Sequence, residues 1–130
     1  MTKNAMTLQR QIALKCVVDT LLGYEGAVDI GEDYEPILDD NYIREFASMM
    51  PIGRLWWVLP VNDCILAAID CYNQSFSQFG IPNQKFAPEE IRFMRDDFTN
   101  RFVKKIKRYA GGKRLSLKVL DDNSVGFRWE

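Results

Sequence analysis

The apolar residues of this 130-residue chain change their spacing at Gly111-Gly112. Before the two glycines they recur at intervals of three and four residues, which is the period of an amphipathic helix. After the glycines they alternate with polar residues along two short runs: Leu115, Leu117, Val119 and Val125, Phe127, Trp129. Because the turn-forming sequence Asp-Asp-Asn-Ser separates the two runs, the pattern predicts an antiparallel β-hairpin with one apolar face.

Four segments before the glycines have the helical spacing, and each has a start or stop signal. The predicted boundaries are Thr7 to Leu22, Asp39 or Asp40 to Met50, Asn62 or Asp63 to just before Gly80, and Pro88 to about Tyr109. In the last of these, proline takes the first helical position and two glutamates follow it in the first turn. Both features favour a helix start, so this longest helix has the clearest signal.

Residues 53–60 read Gly-Arg-Leu-Trp-Trp-Val-Leu-Pro and fit neither spacing. Helix and strand compete in so short an aromatic run, and we expect a short helix or an extended plug. The chain is long and apolar enough for one packed core, with 47% hydrophobic residues. We therefore predict a mainly α fold of the α+β class. It is a single domain over residues 1–130, with four to five helices and a C-terminal antiparallel β-hairpin, residues 113–130, packed on them.

The sequence lacks the residues and motifs of the common enzyme classes. It contains no histidine, which removes the most frequent general acid and base and the usual serine and cysteine triads. It also contains no glycine-rich phosphate-binding motif. Cys16, Cys64 and Cys71 have no metal-ligand spacing and are expected to be buried, reduced thiols. We predict a non-enzymatic protein with no catalytic residues, no cofactor and no metal.

Charge is segregated along the chain, although the net charge is only −1. Residues 17–50 contain nine carboxylates and one cation, whereas residues 98–118 contain eight cations and no carboxylate. Clusters of like charge create a local field even when the whole molecule is nearly neutral. The two blocks are therefore candidate binding surfaces if they lie apart in the fold, and they neutralise each other if they touch. Paired between two copies, they would also give a homodimer.

The acidic block predicts a protein-binding surface. An acidic region flanked by aromatic residues has the composition of a protein interface, and an adaptor, an inhibitor or an immunity-type protein would use it to bind a protein partner. The alternatives are an acidic loop that only keeps the chain soluble, and core packing for the tryptophan pair, of which one side chain can point inward. The predicted binding residues are Asp29, Glu32, Asp33, Glu35, Trp56 and Trp57.

The basic block predicts a second, alternative function, which is nucleic-acid binding. Four of its cations are spaced i, i+3, i+4 and i+7 and share one helical face, and two more follow on the predicted strand. These residues are Arg101, Lys104, Lys105, Arg108, Arg114 and Lys118. Two observations weaken this prediction: the isoelectric point of about 5.5 is low for a nucleic-acid binder, and the chain's own acids could pair with part of the face.

The sequence also predicts a compartment. No run of about 18 apolar residues is present, so no membrane partner is expected. The N-terminal residues lack the continuous apolar stretch of a secretory signal peptide. Three cysteines without paired spacing favour a reducing environment. The predicted location is the cytoplasm.

Overall fold

The structure is a computed structural model, and it describes residues 6–23 and 36–130. These residues form a mostly helical α+β fold with four helices and one antiparallel sheet of three strands. In chain order the elements are α1 (Leu8–Leu22), α2 (Asp40–Met49), β1 (Trp57–Leu59), α3 (Val61–Ser77), α4 (Pro88–Lys107), β2 (Leu115–Val119) and β3 (Val125–Trp129).

The local signals at three helix starts act as predicted. The Thr7 hydroxyl oxygen accepts a hydrogen bond from the Arg10 N–H at 3.1 Å, and an Asp39 carboxylate oxygen accepts one from the Tyr42 N–H at 2.8 Å. Each bond satisfies a backbone donor that has no partner within its helix. At the start of α4, a Glu90 carboxylate oxygen accepts a hydrogen bond at 2.9 Å from the N–H of Ala87, the residue before Pro88.

The start of α3 was predicted wrongly. The helix begins at Val61 directly after Pro60, without the expected side-chain cap from Asn62 or Asp63. The Asn62 N–H instead donates to the backbone carbonyl of Asn123 at 3.1 Å, in the turn between β2 and β3. A tertiary contact therefore satisfies this donor, and such a contact leaves no local signal in the sequence.

The predicted C-terminal hairpin is present, but it is part of a larger sheet. Residues 57–59 form strand β1, so the helical alternative for residues 53–60 was wrong, and the extended part belongs to the sheet and is not a separate plug. β1 pairs antiparallel with β3, which gives the strand order β1-β3-β2. The side chains of β1 and β3 match in register, with Trp57 opposite Phe127 and Leu59 opposite Val125. The partner of this short strand lies far away in the chain, so local periodicity could not reveal it.

Helix α1 lies alongside α4 and runs in the same direction. Arg10 pairs with Glu90 near the start of both helices, and Asp19 pairs with Arg101 farther along both. The hydrogen bond from Arg10 lowers the pKa of the Glu90 carboxyl, so this pair stabilises the fold above the ordinary pKa of a glutamate and loses its effect on acidification.

An aromatic cluster joins the helices to the sheet. Phe102 of α4 lies 5.1 Å from Phe46 of α2 and 5.6 Å from Phe127 of β3, measured between ring centroids. The indole N–H of Trp129 donates to the carbonyl of Ala47 at 2.9 Å, which ties β3 to α2. Offset and edge-to-face aromatic pairs of this kind stabilise a core beyond simple burial. The cluster fixes which face of the sheet packs against the helices.

Candidate functional site

The sheet packs against helices on one face, which we call the inner face. On β3 the side chains of Val125, Phe127 and Trp129 point to this face and are almost fully buried. Successive residues of a strand alternate between faces, so Gly126 and Arg128 lie on the opposite side. We call that side the outer face. Its residues are Trp56 just before β1, Val58 on β1, Gly126 and Arg128 on β3, and Ser116 and Lys118 on β2.

Trp56 is the centre of the outer face. Its indole lies beneath the guanidinium of Arg128, whose central carbon is 4.0 Å from the ring centroid, a cation–π distance. Its side chain also lies directly over Gly126: a Cβ atom placed there would be 2.9 Å from the Cβ of Trp56. Arg128 is held in turn by its hydrogen bond to the Arg54 carbonyl at 3.2 Å and by Glu130 at 3.8 Å. Trp56 is therefore half-buried and fixed in position.

Trp57 points the other way. It pairs with Phe127 in register and contacts Phe46 edge-to-face at 6.3 Å, at the margin of the inner face. The two adjacent tryptophans thus lie on opposite faces of the sheet. Of the pair, Trp56 lies on the face opposite to the one that packs against the helices.

Exposed apolar residues lie beside Trp56 on the sheet and next to it in the chain. Leu55 is 74% exposed and Val58 is 51% exposed, and Leu120 contacts the same glycine that Trp56 covers. Arg54 and Lys118 bring positive charge to the edge of this group. A half-buried tryptophan within apolar residues and arginine is the composition of the energetic centre of a protein interface. The outer face is therefore the candidate interaction surface of the described residues.

The close approach of Trp56 to Gly126 gives a first prediction. Gly126→Ala should lower the free energy of unfolding by about 1–2 kcal/mol, because the new methyl group displaces Trp56, and this outweighs the gain from a stiffer unfolded chain. Urea unfolding measures the change. In a Trp56→Gly background the same substitution should cost clearly less, since the Cβ atom that the new methyl group would press on is absent. An equal cost in both backgrounds would show that Trp56 does not press on this glycine.

The acidic residues Asp29, Glu32, Asp33 and Glu35 lie outside the described residues. Four other carboxylates of the acidic block are described, and Asp39 and Asp40 are two of them. Together with Lys105 these two residues line an open cleft of about 340 Å³ at the start of α2. Half-buried Lys105 therefore opens onto the same cleft as two carboxylates of this chain.

The first cation of the basic block is paired with the first carboxylate of the acidic block. Arg101 forms ion pairs with Asp19 of α1 and, at 3.2 Å, with Asp97 one turn earlier on α4. Only 11% of the Arg101 side chain is exposed. Burial alone would lower the pKa of this guanidinium, but the hydrogen bond and charge of Asp19, with those of Asp97, outweigh burial and raise the pKa. Arg101 therefore holds α1 against α4, and the two charge blocks touch at this point.

The other predicted cations are placed differently. Lys104, Arg108 and Arg114 are exposed, and none of them forms an ion pair with another residue in the described ranges. Lys118 lies on the outer face, whereas α4 packs against the inner face. The structure thus brings Lys104 and Arg108 together on one helical end, but it places Lys118 on the other side of the sheet. This separation follows from the alternation along β2, whose apolar side chains face the helices while Lys118 faces away.

The three cysteines are half-buried, and one has a strongly shifted pKa. Burial, with a smaller contribution from the charge of Asp63, raises the pKa of the Cys64 thiol from 9.0 to about 11. Thiolate is the reactive form of cysteine, so this environment favours an inert thiol. Among residues 6–23 and 36–130 no group of three or more acidic or cysteine side chains is placed to hold a metal ion.

The shifted thiol gives a second prediction. Near pH 8 iodoacetamide should alkylate Cys64 about a hundredfold more slowly in the folded protein than in the urea-unfolded chain, because the thiolate fraction is that much smaller. Fragmentation mass spectrometry separates Cys64 from Cys71. The same shift stabilises the fold below the ordinary thiol pKa of 9.0, and this contribution is lost as the pH rises to about 11. Equal alkylation rates in the two states would contradict the burial of this thiol.

Comparison with protein-family models, curated proteins and solved structures finds no match for this chain. The described helices include none with the length and apolar character needed to cross a membrane.

Proposed function

We propose that this chain is a small non-enzymatic interaction protein, of adaptor, inhibitor or immunity type, and that it binds a protein partner through the outer face of its sheet. One observation carries the proposal: Trp56 is held by Arg128 and Gly126 on the face that points away from the helices. A fixed aromatic side chain loses little conformational entropy when a partner covers it, which is why tryptophan and arginine dominate binding energies at interfaces.

The surroundings of Trp56 support the same proposal. Apolar Leu55 and Val58 add contact area, while Arg54 and Lys118 supply positive charge at the rim. A partner with an acidic rim around an apolar centre would complement this surface. The carboxylates Asp29, Glu32, Asp33 and Glu35 stay in the proposal as a further docking surface. Changing all four together to Asn and Gln should weaken capture of the partner, and unchanged capture would remove this surface from the proposal.

Quantitative affinity capture from the native host tests the proposal. The tagged wild-type protein should retain a defined set of host proteins, and Trp56→Ala should lose most of that set. Leu66→Ala is the matched control, because Leu66 is also apolar and half-exposed but lies on α3. Circular dichroism checks that both variants are folded. Identical retention by the wild type and Trp56→Ala would contradict the proposed anchor.

A second candidate function is nucleic-acid binding through the basic end of α4. It is favoured by Lys104 and Arg108, which are exposed and have no ion-pair partner in the described part of the chain. Fluorescence anisotropy with a labelled oligonucleotide tests it. Binding should weaken steeply as salt is added, and Lys104→Glu with Arg108→Glu should abolish it. Absence of any salt-sensitive binding by the wild type would exclude this function.

A further inference from the structure

Strand β2 has a free edge within the described residues. It lies at one side of the sheet and pairs with β3 only. Arg114 and Glu130 exchange backbone hydrogen bonds, with N···O distances of 2.8 and 3.3 Å. Antiparallel pairs alternate between bonded and non-bonded positions, so Ser116 and Lys118 also bond to β3. The N–H and C=O groups of the intervening residues, which are Leu115, Leu117 and Val119, therefore point outward from the sheet.

The side chains along this edge are incompletely covered. Leu117 and Val119 point to the inner face, yet they are 44% and 62% exposed, whereas their β3 partners Phe127 and Val125 are almost fully buried. The helices therefore end short of β2. Leu117 and Val119 line an open groove of about 230 Å³ between the strand and α4, whose other wall includes Thr99 and Asn100. The edge combines unpaired backbone groups with exposed apolar side chains.

The two edges of the sheet differ in how they are protected. β1 has only three residues and is followed by Pro60, and short strands and proline are common devices against edge-to-edge pairing. β2 has five residues, contains no glycine or proline, and pairs with β3 without a bulge. Its one charged residue, Lys118, points to the outer face, so this strand has no charged side chain on its apolar inner side. β2 is thus the edge suited to accept another strand.

We propose that β2 pairs antiparallel with β2 of a second copy of this chain, centred on Leu117, so that one sheet continues across a two-fold axis. In this register Leu117 faces Leu117 of the second copy, and Leu115 faces Val119. All three outward-pointing residues then exchange backbone bonds with the other copy. The exposed faces of Leu117 and Val119 become covered by the same pairing.

Charge complementarity supports the second copy as the occupant. β2 is preceded by Lys113 and Arg114 and followed by Asp121 and Asp122. Antiparallel pairing about Leu117 places the cationic start of one strand beside the acidic end of the other, with Lys113 opposite Asp121. Lys118 comes opposite Ser116, so no like charges face each other directly. The pairing uses the sheet edge and does not depend on the outer face, so its failure leaves the proposed function untouched.

Sedimentation equilibrium over a range of chain concentrations tests this pairing. The mean mass of the wild type should rise with chain concentration and approach twice the chain mass by about 500 μM. This range extends to the weak end of specific protein association. Leu117→Pro removes an outward N–H without breaking a bond to β3, and it should weaken dimerisation at least about tenfold. Val58→Pro is the matched control, because its N–H points outward at the opposite edge, and it should dimerise like the wild type.

A second variant tests the same pairing without introducing a proline into the strand. Leu117→Lys places a charge in the groove at the edge and should also give a monomer, with circular dichroism used to show that the fold is retained. A wild type that stays monomeric throughout the range would overturn the proposal. Dimerisation that survives in the folded Leu117→Lys protein would overturn it as well.

Discussion

Phe102→Ala should lower the free energy of unfolding by about 3–5 kcal/mol, the largest effect we expect from any single substitution in this chain. Phe102 is fully buried and contacts an aromatic ring from each of α2, α4 and β3. Truncation removes these contacts and leaves a cavity where the helices meet the sheet, and the surrounding rings cannot close it without losing their own edge-to-face geometry. Urea unfolding measures the loss as a lower midpoint.

Phe79→Ala is the control for this substitution. Phe79 lies just beyond α3 and is 78% exposed, so the same truncation should change the stability by less than about 0.5 kcal/mol. If Phe102→Ala cost no more than Phe79→Ala, the aromatic cluster would not be the centre of the fold. A change in the slope of the urea transition would indicate an altered unfolded or partly folded state instead of a simple cavity.

Arg101→Met should lower the free energy of unfolding by about 2–4 kcal/mol. The methionine preserves most of the side-chain volume but removes the positive charge that faces Asp19 and Asp97, whose side chains are only 15% and 16% exposed. Carboxylates this poorly solvated are costly without a counter-charge. Lys104→Met, on an exposed position of the same helix, should change the stability little.

A double variant separates the lost ion pair from lost packing. Asp19→Asn in the Arg101→Met background should recover part of the stability, because one uncompensated carboxylate has been neutralised. Strictly additive losses in the double variant would contradict the ion pair, since they would mean that the two residues do not interact.

Much of the fold could be predicted because the signals for it are local. Thr7 and Asp39 form their caps with residues three positions away, and the helix at Pro88 starts with its own first-turn glutamate. The β2–β3 hairpin follows from alternation on both sides of a short turn. Each of these elements is specified within a window of a few residues, which is the range over which spacing and capping patterns act.

The features that escaped prediction depend on distant residues. β1 exists because its backbone pairs with β3, and α3 starts at Val61 because the Asn62 N–H meets a carbonyl of the distant β2–β3 turn. The same holds for charge: Arg101 and Asp19 are 82 positions apart in the sequence, so the pairing that removes Arg101 from the basic surface is invisible to spacing. Which tryptophan of the pair points inward followed only once β1 was known to be a strand.

The most direct test of the central claim is site-specific photo-crosslinking in the native host, with p-benzoylphenylalanine at position 58 or, for comparison, at position 66. Position 58 lies beside Trp56 on the outer face, and position 66 is similarly exposed on α3. We predict a discrete adduct with a protein other than this chain from position 58, none from position 66, and loss of the first adduct in Trp56→Ala. Absence of an adduct from position 58, or equal adducts from both positions, would contradict binding through the outer face.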